Sequence, residues 1–327
     1  MEEGAVLHPP SGGKRRRDRL KVTAALSHLS WRTLVCVGVI GAVGCTSSVP
    51  SADVAMSADA GGELGGDSAT QSQQSDTAEM AWAQESVGVN VIAPKPVNAQ
   101  EVAASFLGHV PSAWGLNVPG VITHMDSDSV AITLDACGGP SGSGFDARLI
   151  DGLIERQVPA TLFLNERWIG ANPDIALELA NNPLFEIENH GSQHRPLSVQ
   201  GQLAYGIAGT NSVAEVVEEV WSSHQAITAL TGIPPKFFRS GTAHYDDVAI
   251  QIVEALGESV VGFNVNADAG ATYSAESVQA AVAGAAPGSI LIAHMNQPLS
   301  GTAVGLLAGV DALQARGVRF SWIENPQ

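Results

Sequence analysis

From Val121 onward, short blocks of β-branched and aromatic residues alternate with longer amphipathic stretches. The blocks predict strands at 130–134, 160–164, 185–188, 236–239, 260–264, 289–293 and 318–323. The stretches between them predict helices near 145–157, 172–181, 212–231, 246–256, 275–284 and 302–316. Several helix ends have a chemical reason. Asn172-Pro173 offers an N-cap followed by proline at the first helical position, and Ser212-Val-Ala-Glu215 reads as a capping box. Gly232, Gly257 and Gly317 stop three of the helices. Regular alternation of strand and helix predicts an α/β fold of about seven parallel strands. Two arrangements suit it: an incomplete or distorted (β/α) barrel, or an open doubly wound sheet. No Gly-x-Gly-x-x-Gly turn or Walker-type loop supports a nucleotide site.

Upstream, the pattern changes. Seven of the 16 Lys and Arg residues fall in the first 32 positions, between Lys14 and Arg32. They precede an apolar run, Leu34 to Gly44, that is too short to span a bilayer as an ordinary transmembrane helix. A basic region followed by a short apolar one reads as an export signal. It ends in Ala42-Val-Gly-Cys45 before polar Thr46-Ser-Ser, which resembles a bacterial lipobox. Residues 1–45 are therefore expected to be an export signal with Cys45 lipidated. The mature protein is expected on a bacterial cell-envelope membrane, periplasmic or at the outer surface. A plain secretory signal with an incidental cysteine is the alternative. Residues 46–84, rich in Ser, Ala, Gly, Gln and acids, read as a flexible tether. Residues 85–120, punctuated by four prolines, read as an N-terminal strap with a short strand at 87–92 and a short helix at 99–107. Residues 121–327 form the main domain.

Charge narrows the partners. From Thr46 onward 30 acidic residues face 9 basic ones, which disfavours nucleic acid or an anionic membrane surface. Contact with a membrane is expected through the lipid only, and no feature points to a protein partner. With Cys36 removed and Cys45 lipidated, Cys137 is alone, so the mature body has no intramolecular disulfide.

The candidate chemistry sits at predicted strand ends. Val130 to Leu134 runs into Asp135, and Gly138-Gly139 then breaks the strand. The pair His190-Gly-Ser-Gln-His194 follows the strand at 185–188, and His294 ends the strand at 289–293. Arg239 follows Lys236-Phe-Phe, and Asp268 closes Asn264-Val-Asn-Ala. An i, i+4 His pair puts two imidazoles on one face of a helical turn and binds a divalent metal if a carboxylate or thiolate completes the set. Each residue also has an ordinary reading. The histidines can bond backbone, Arg239 can make a surface ion pair, Asp268 can close a turn, and Cys137 can be a small buried hydrophobe.

Together, Thr-Leu-Asp135, the His190–His194 motif, Phe-Phe-Arg239, Asp268 and Ile-Ala-His294 resemble the polysaccharide deacetylase family with its NodB homology domain, carbohydrate esterase family 4. The resemblance runs from about Val121 to Ile323. It implies a distorted (β/α) barrel and a hydrolase that removes N- or O-acetyl groups from peptidoglycan, chitin-like glycan or exopolysaccharide. It also implies roles: Asp135 as general base, His190 and His194 as metal ligands, and Arg239 positioning the base. Asp268 would support the arginine and the catalytic histidine, and His294 would be the general acid. The implied cofactor is a divalent metal, zinc by preference. Three positions depart from the pattern. Ala136 replaces a second, metal-binding aspartate, so Asp135 doubles as ligand, or Cys137 or water fills the place, or no metal binds. Gly191 stands where Ser or Thr is usual. Arg239 is followed by Ser-Gly-Thr-Ala-His-Tyr245 in place of a proline-rich turn, and there Gly241 or Thr242 is placed to offer an N–H to an oxyanion. Two other readings stay open: a metal-independent amidohydrolase acting on a small or cyclic amide, and an inactive glycan-binding protein on the same scaffold. The low aromatic content shows no clear row of sugar-stacking residues. The segment from Arg195 to Asn211 is expected to form a loop over the site, with His244 and Tyr245 as further candidates to line it.

Overall fold

The computed structural model describes residues 96–324. The expected export signal with Cys45, the tether over 46–84 and the strand expected at 87–92 lie outside the described residues. The described strap contains α1 (Ala99–Ser105), capped by the Asn98 side chain, and β1 (Trp114–Gly115). The body then runs β2 (Ser129–Ala136), α2 (Ala147–Glu155), β3 (Ala160–Leu164), α3 (Glu166–Ala171), α4 (Pro173–Ala180) and β4 (Phe185–Asn189). It continues with β5 (Leu203–Ala204), β6 (Ile207–Ala208), α5 (Val213–Thr231), β7 (Phe237–Phe238), β8 (Tyr245–Asp246) and α6 (Asp247–Ala255). Last come β9 (Ser259–Val260), β10 (Val265–Asn266), α7 (Ala275–Ala283), β11 (Ile290–His294), α8 (Thr302–Ala315) and β12 (Arg319–Ser321).

Seven strands lie side by side in the order β10-β11-β2-β3-β4-β7-β9, all parallel, and β12 pairs with the start of β2. From β2 to β9 the path follows chain order, and β10 and β11 return to the other edge of β2. The architecture is a distorted (β/α) barrel, open between β9 and β10. The strap's continuation sits in that gap. Ile122 bridges Val261 beyond β9, and His124 bridges Ser289 before β11.

The single strand expected at 260–264 is corrected to two short strands. Between them the carbonyls of Val261 and Gly262 accept from the Arg239 guanidinium, at 3.2 and 2.8 Å, in place of a neighbouring strand. Two helix starts also differ. Ser212 caps α5 by accepting from Glu215 N–H, but the Glu215 carboxylate turns to Asn211 N–H and Arg195 instead of closing a box. Asn172 makes no side-chain cap on α4; its amide donates to Ser143 and Trp168 carbonyls. Helix α3, capped by Asn165, was not expected.

Strand periodicity decides what faces the barrel interior. Along β2, Val130, Ile132, Leu134 and Ala136 join the core between sheet and helices. The alternate residues point inward and climb from the floor to the site: Ala131 in the lower barrel cluster with Phe163, Phe237 and Ile290, then Thr133, then Asp135. All eight residues of β2 are buried, as a central parallel strand requires.

Candidate active site

The C-terminal ends of β2, β4, β7 and β11 meet at a cavity of about 540 Å³, lined among others by Asp135, Cys137, His194, Gly241, Thr242 and His294. Asp135 and His294 are register partners on the neighbouring strands β2 and β11, so the sheet itself sets them side by side.

Asp135 is almost fully buried, and its Oδ1 accepts from Arg239 Nη1 at 2.8 Å. Arg239 is fully buried and locked on every side. Nη1 also donates to Thr133 Oγ1 at 2.6 Å, Nε and Nη2 donate to the Val261 and Gly262 carbonyls, and the guanidinium lies 4.2 Å above the Phe163 ring. Burial opposes charge on Asp135, but Arg239 first, then His190 and His294, outweigh it and hold the carboxyl below its ordinary value. Of the two partners expected for Asp268, the arginine and the catalytic histidine, the structure shows the histidine. Asp268 makes no hydrogen bond to Arg239 among the described residues. Its Oδ1 meets His294 Nδ1 at 2.9 Å, and its Oδ2 accepts from the His294 backbone N–H and the Thr302 hydroxyl.

The His190–His194 segment is not a helical turn. Gly191 and His194 both have left-handed φ, +75° and +61°, and the loop between them folds the two rings edge to face at 5.0 Å. His190 Nδ1 donates to the Arg239 carbonyl at 2.8 Å, which leaves Nε2 as the free lone pair. The Nε2 atoms of both His190 and His194 are buried without a hydrogen-bond partner. Cys137 follows the end of β2, two residues beyond Asp135, and lines the same cavity, whereas Ala136 packs into the core. The donor atoms of Cys137, His190 and His194 lie within 4.8 Å of one another. Asp135 sits beside this group, with Oδ2 3.7 Å from His190 Nε2. Burial opposes a Cys137 thiolate, but His190, His194 and His294 favour it and draw its pKa well below the ordinary thiol value. Two orphaned imidazole nitrogens and a thiol of lowered pKa, close to one another, are donor types able to hold a metal ion.

Several supporting residues were not foreseen. Glu219, buried on α5, accepts from Ser192 Oγ and from the backbone N–H groups of Gln193 and Arg195, and so pins the metal-type loop. Its signal in the sequence is an acid on the apolar stripe of α5, between Val216 and Val220. Asn189 fixes the loop's first turn, accepting from Gly191 N–H while its amide donates to Val220 O and Glu258. Gly241 passes so close to His194 that a Cβ there would collide with its backbone and ring. The N–H groups of Gly241 and Thr242 find no backbone acceptor among the described residues. Tyr245 is buried behind the site, its hydroxyl accepting from Ser240 N–H and pushed up to about 12 by burial, and His244 packs behind Tyr205. The loop expected over 195–211 carries the hairpin β5–β6, and its Tyr205 and Ile207 line the cavity.

Residues 123–261 match the family model described as polysaccharide deacetylase, a span that includes Asp135, Cys137, His190, His194 and Arg239 and stops short of Asp268 and His294. No curated protein sequence matches the chain. Among solved structures, a peptidoglycan N-acetylglucosamine deacetylase, Bc1960, is similar at 22% identity and a TM-score of 0.53, over 62% of this chain and 91% of that one. A family 4 carbohydrate esterase from Streptomyces lividans, solved with acetate, is similar at 22% identity and a TM-score of 0.50, over 61% and 94%. A CE4 family pseudoenzyme from Bacillus anthracis is similar at 20% identity and a TM-score of 0.52, over 63% and 68%. These likenesses show the fold, the NodB-like (β/α) barrel. Active and inactive proteins share it, so function rests on the residues of the site.

Proposed function

We propose that this chain is a hydrolase that removes acetyl groups from an N-acetylated, or O-acetylated, polysaccharide, with Asp135 as base and His294 as acid. The observation that carries the reading is the register pairing of Asp135 with His294, two neighbours whose surroundings drive their proton affinities apart. Arg239 keeps Asp135 ionised, while Asp268 and Cys137 keep His294 protonated against the cost of its burial. Such a divergent pair assigns its own roles. Asp135 takes a proton as water oxygen bonds the acetyl carbon. His294 gives its proton to the departing nitrogen as the carbon–nitrogen bond breaks, without which an amine leaves poorly. Acetate and a free amine result. Gly241 and Thr242 line the cavity, and their N–H groups would receive the developing oxyanion. Cys137, His190 and His194 are the residues that would hold a divalent ion, zinc by the softness of the thiolate. Bound there, the ion supplies a Lewis acid for the acetyl carbonyl and lowers the pKa of water. Export and lipidation at Cys45 belong to the same proposal, on the sequence pattern alone.

Acetate release from acetylated chito-oligosaccharide and from peptidoglycan, measured with metal content on one sample before and after chelation, tests this reading. Bound zinc, with acetate release abolished by chelator, supports it. Release unaffected by chelator moves the chain to the metal-independent amidohydrolases. No release at all, with the metal bound, makes it an inactive glycan-binding member.

A further inference from the structure

The hairpin β5–β6 turns through Tyr205 and Gly206, with φ of +53° and +78°. A two-residue hairpin turn that is left-handed at both central positions suits Asn-Gly or Gly-Gly, and a bulky aromatic is held there against its backbone preference. No burial compensates, because Tyr205 is 77% exposed. The residue nevertheless forms part of the wall of the catalytic cavity, together with Ile207 and Phe263. Its ring meets His244 edge to face at 5.1 Å, and His244 in turn lies 5.8 Å from Trp114 of the strap. The hairpin is firmly seated. Arg195, the residue after His194, reaches the Ala208 and Gly209 carbonyls and pairs with Glu215. Thr210 and Ser198 close the base with reciprocal hydrogen bonds at 2.6 and 2.8 Å. Tyr205 is thus fixed relative to the metal-type loop and presents an aromatic surface to solvent at the cavity mouth.

We propose that Tyr205, backed by His244 and Trp114, is a stacking platform for a pyranose ring adjoining the sugar whose acetyl group enters the cavity. The inference rests on the deacetylase reading and deepens it: the substrate is a chain of sugars, not an isolated small amide. A pyranose offers an apolar C–H face rimmed by hydroxyls, and a rigid tyrosine supplies a matching apolar surface with few rotatable bonds to immobilise. A small or cyclic amide held at Asp135 and His294 would leave the solvent-facing surface of this ring, 77% exposed, uncovered.

Binding of N-acetylchitotetraose and of monomeric N-acetylglucosamine is measured by titration calorimetry on the Asp135→Asn protein, alone and combined with Tyr205→Ala or Tyr205→Trp. Acetate release from the tetramer is measured in parallel on protein with Asp135 intact. Tyr205→Ala is expected to weaken tetramer binding by about fivefold to tenfold more than monomer binding, the order of one aromatic contact, and Tyr205→Trp to restore it. Equal losses for tetramer and monomer, or an unchanged tetramer affinity, would overturn the platform. Tyr205-dependent binding of the tetramer with no acetate release would support the platform and overturn the deacetylase reading. Acetate release with Tyr205-independent binding would do the reverse.

Discussion

Asp268 grips His294 at two points: Oδ1 meets the ring Nδ1 at 2.9 Å, and Oδ2 accepts the backbone N–H of the same residue at 2.8 Å. Thr302 donates to Oδ2 at 2.9 Å, so the carboxylate cannot swing away. The arrangement fixes the imidazole orientation and leaves Nε2 as the atom that would serve the leaving group in the proposed reaction. Burial disfavours a charged ring, but the hydrogen bond and charge of Asp268, with Cys137 beside it, raise the His294 pKa well above the usual value. A general acid works only while protonated, so activity is expected to fall as pH rises through this raised pKa. Asp268→Asn should bring that alkaline limb down toward neutral pH and lower kcat on an N-acetyl substrate by about 10²-fold or more. An acetyl ester with a good leaving group should lose much less. An alkaline limb that stays in place in the pH profile of kcat/KM would remove His294 from the acid role.

Cys137 offers the only thiol among the described residues, and it faces two imidazoles with free Nε2 atoms. If it is a metal ligand, Cys137→Ala should release the ion and reduce acetate release by about 10²-fold or more, on the scale of losing a liganding side chain. Cys137→Asp restores an anionic donor of harder character, so it should rebind metal and shift preference from zinc toward manganese or cobalt. Metal stoichiometry by plasma emission spectroscopy checks both. Full zinc occupancy in Cys137→Ala would point to Asp135 as the third donor instead.

The placement of Asp135 and His294 was legible because each is a polar residue at the end of an apolar strand, and His190 because it follows a strand directly; parallel strands in a barrel gather such ends at one rim. Cys137 was harder to place, since one cysteine before a Gly-Gly turn has no ligand spacing of its own. Its position becomes readable only once Asp135 and Cys137, just past the end of β2, are seen to line one cavity. The reading of 190–194 as a helical turn failed on conformation. Gly191 permits a left-handed residue, but His194 adopts one too, and nothing in its identity announces it. The break between β9 and β10 depends on Arg239 drawing off two carbonyls across the barrel, a tertiary event that no local pattern records.

Glu219 provides a direct test of how the metal-type loop is held. Removing it leaves the Ser192 hydroxyl and the Gln193 and Arg195 N–H groups without their acceptor in a buried place. Glu219→Ala is expected to cost about 2–4 kcal/mol of stability, read as a lower denaturation midpoint, and to weaken zinc binding in the folded fraction. Glu219→Gln keeps an acceptor and should fall between. Gly191→Ala should fail in a similar way, because its φ is +75° and a Cβ would press on the Glu219 carboxylate. Unchanged metal affinity in Glu219→Ala would show that the histidines are positioned without this loop anchor.

Glu188 carries a pH signature that is separate from the site. It is buried on β4, its Oε2 accepts from the N–H groups of Lys236 and Phe237, and burial pushes its pKa up to about 9. In the unfolded chain the same carboxyl ionises near its ordinary 4.5. Between these values the unfolded state has released a proton that the folded state still holds. The group therefore lowers stability steadily as pH rises from about 4.5 to about 9, and its effect levels off beyond. Glu188→Gln preserves an acceptor for both N–H groups and abolishes the titration. The variant should melt close to the wild-type temperature at pH 5 and on the order of 5 °C above it at pH 9. Melting curves for the two proteins that stay parallel across this range would show that Glu188 ionises in the fold at no cost.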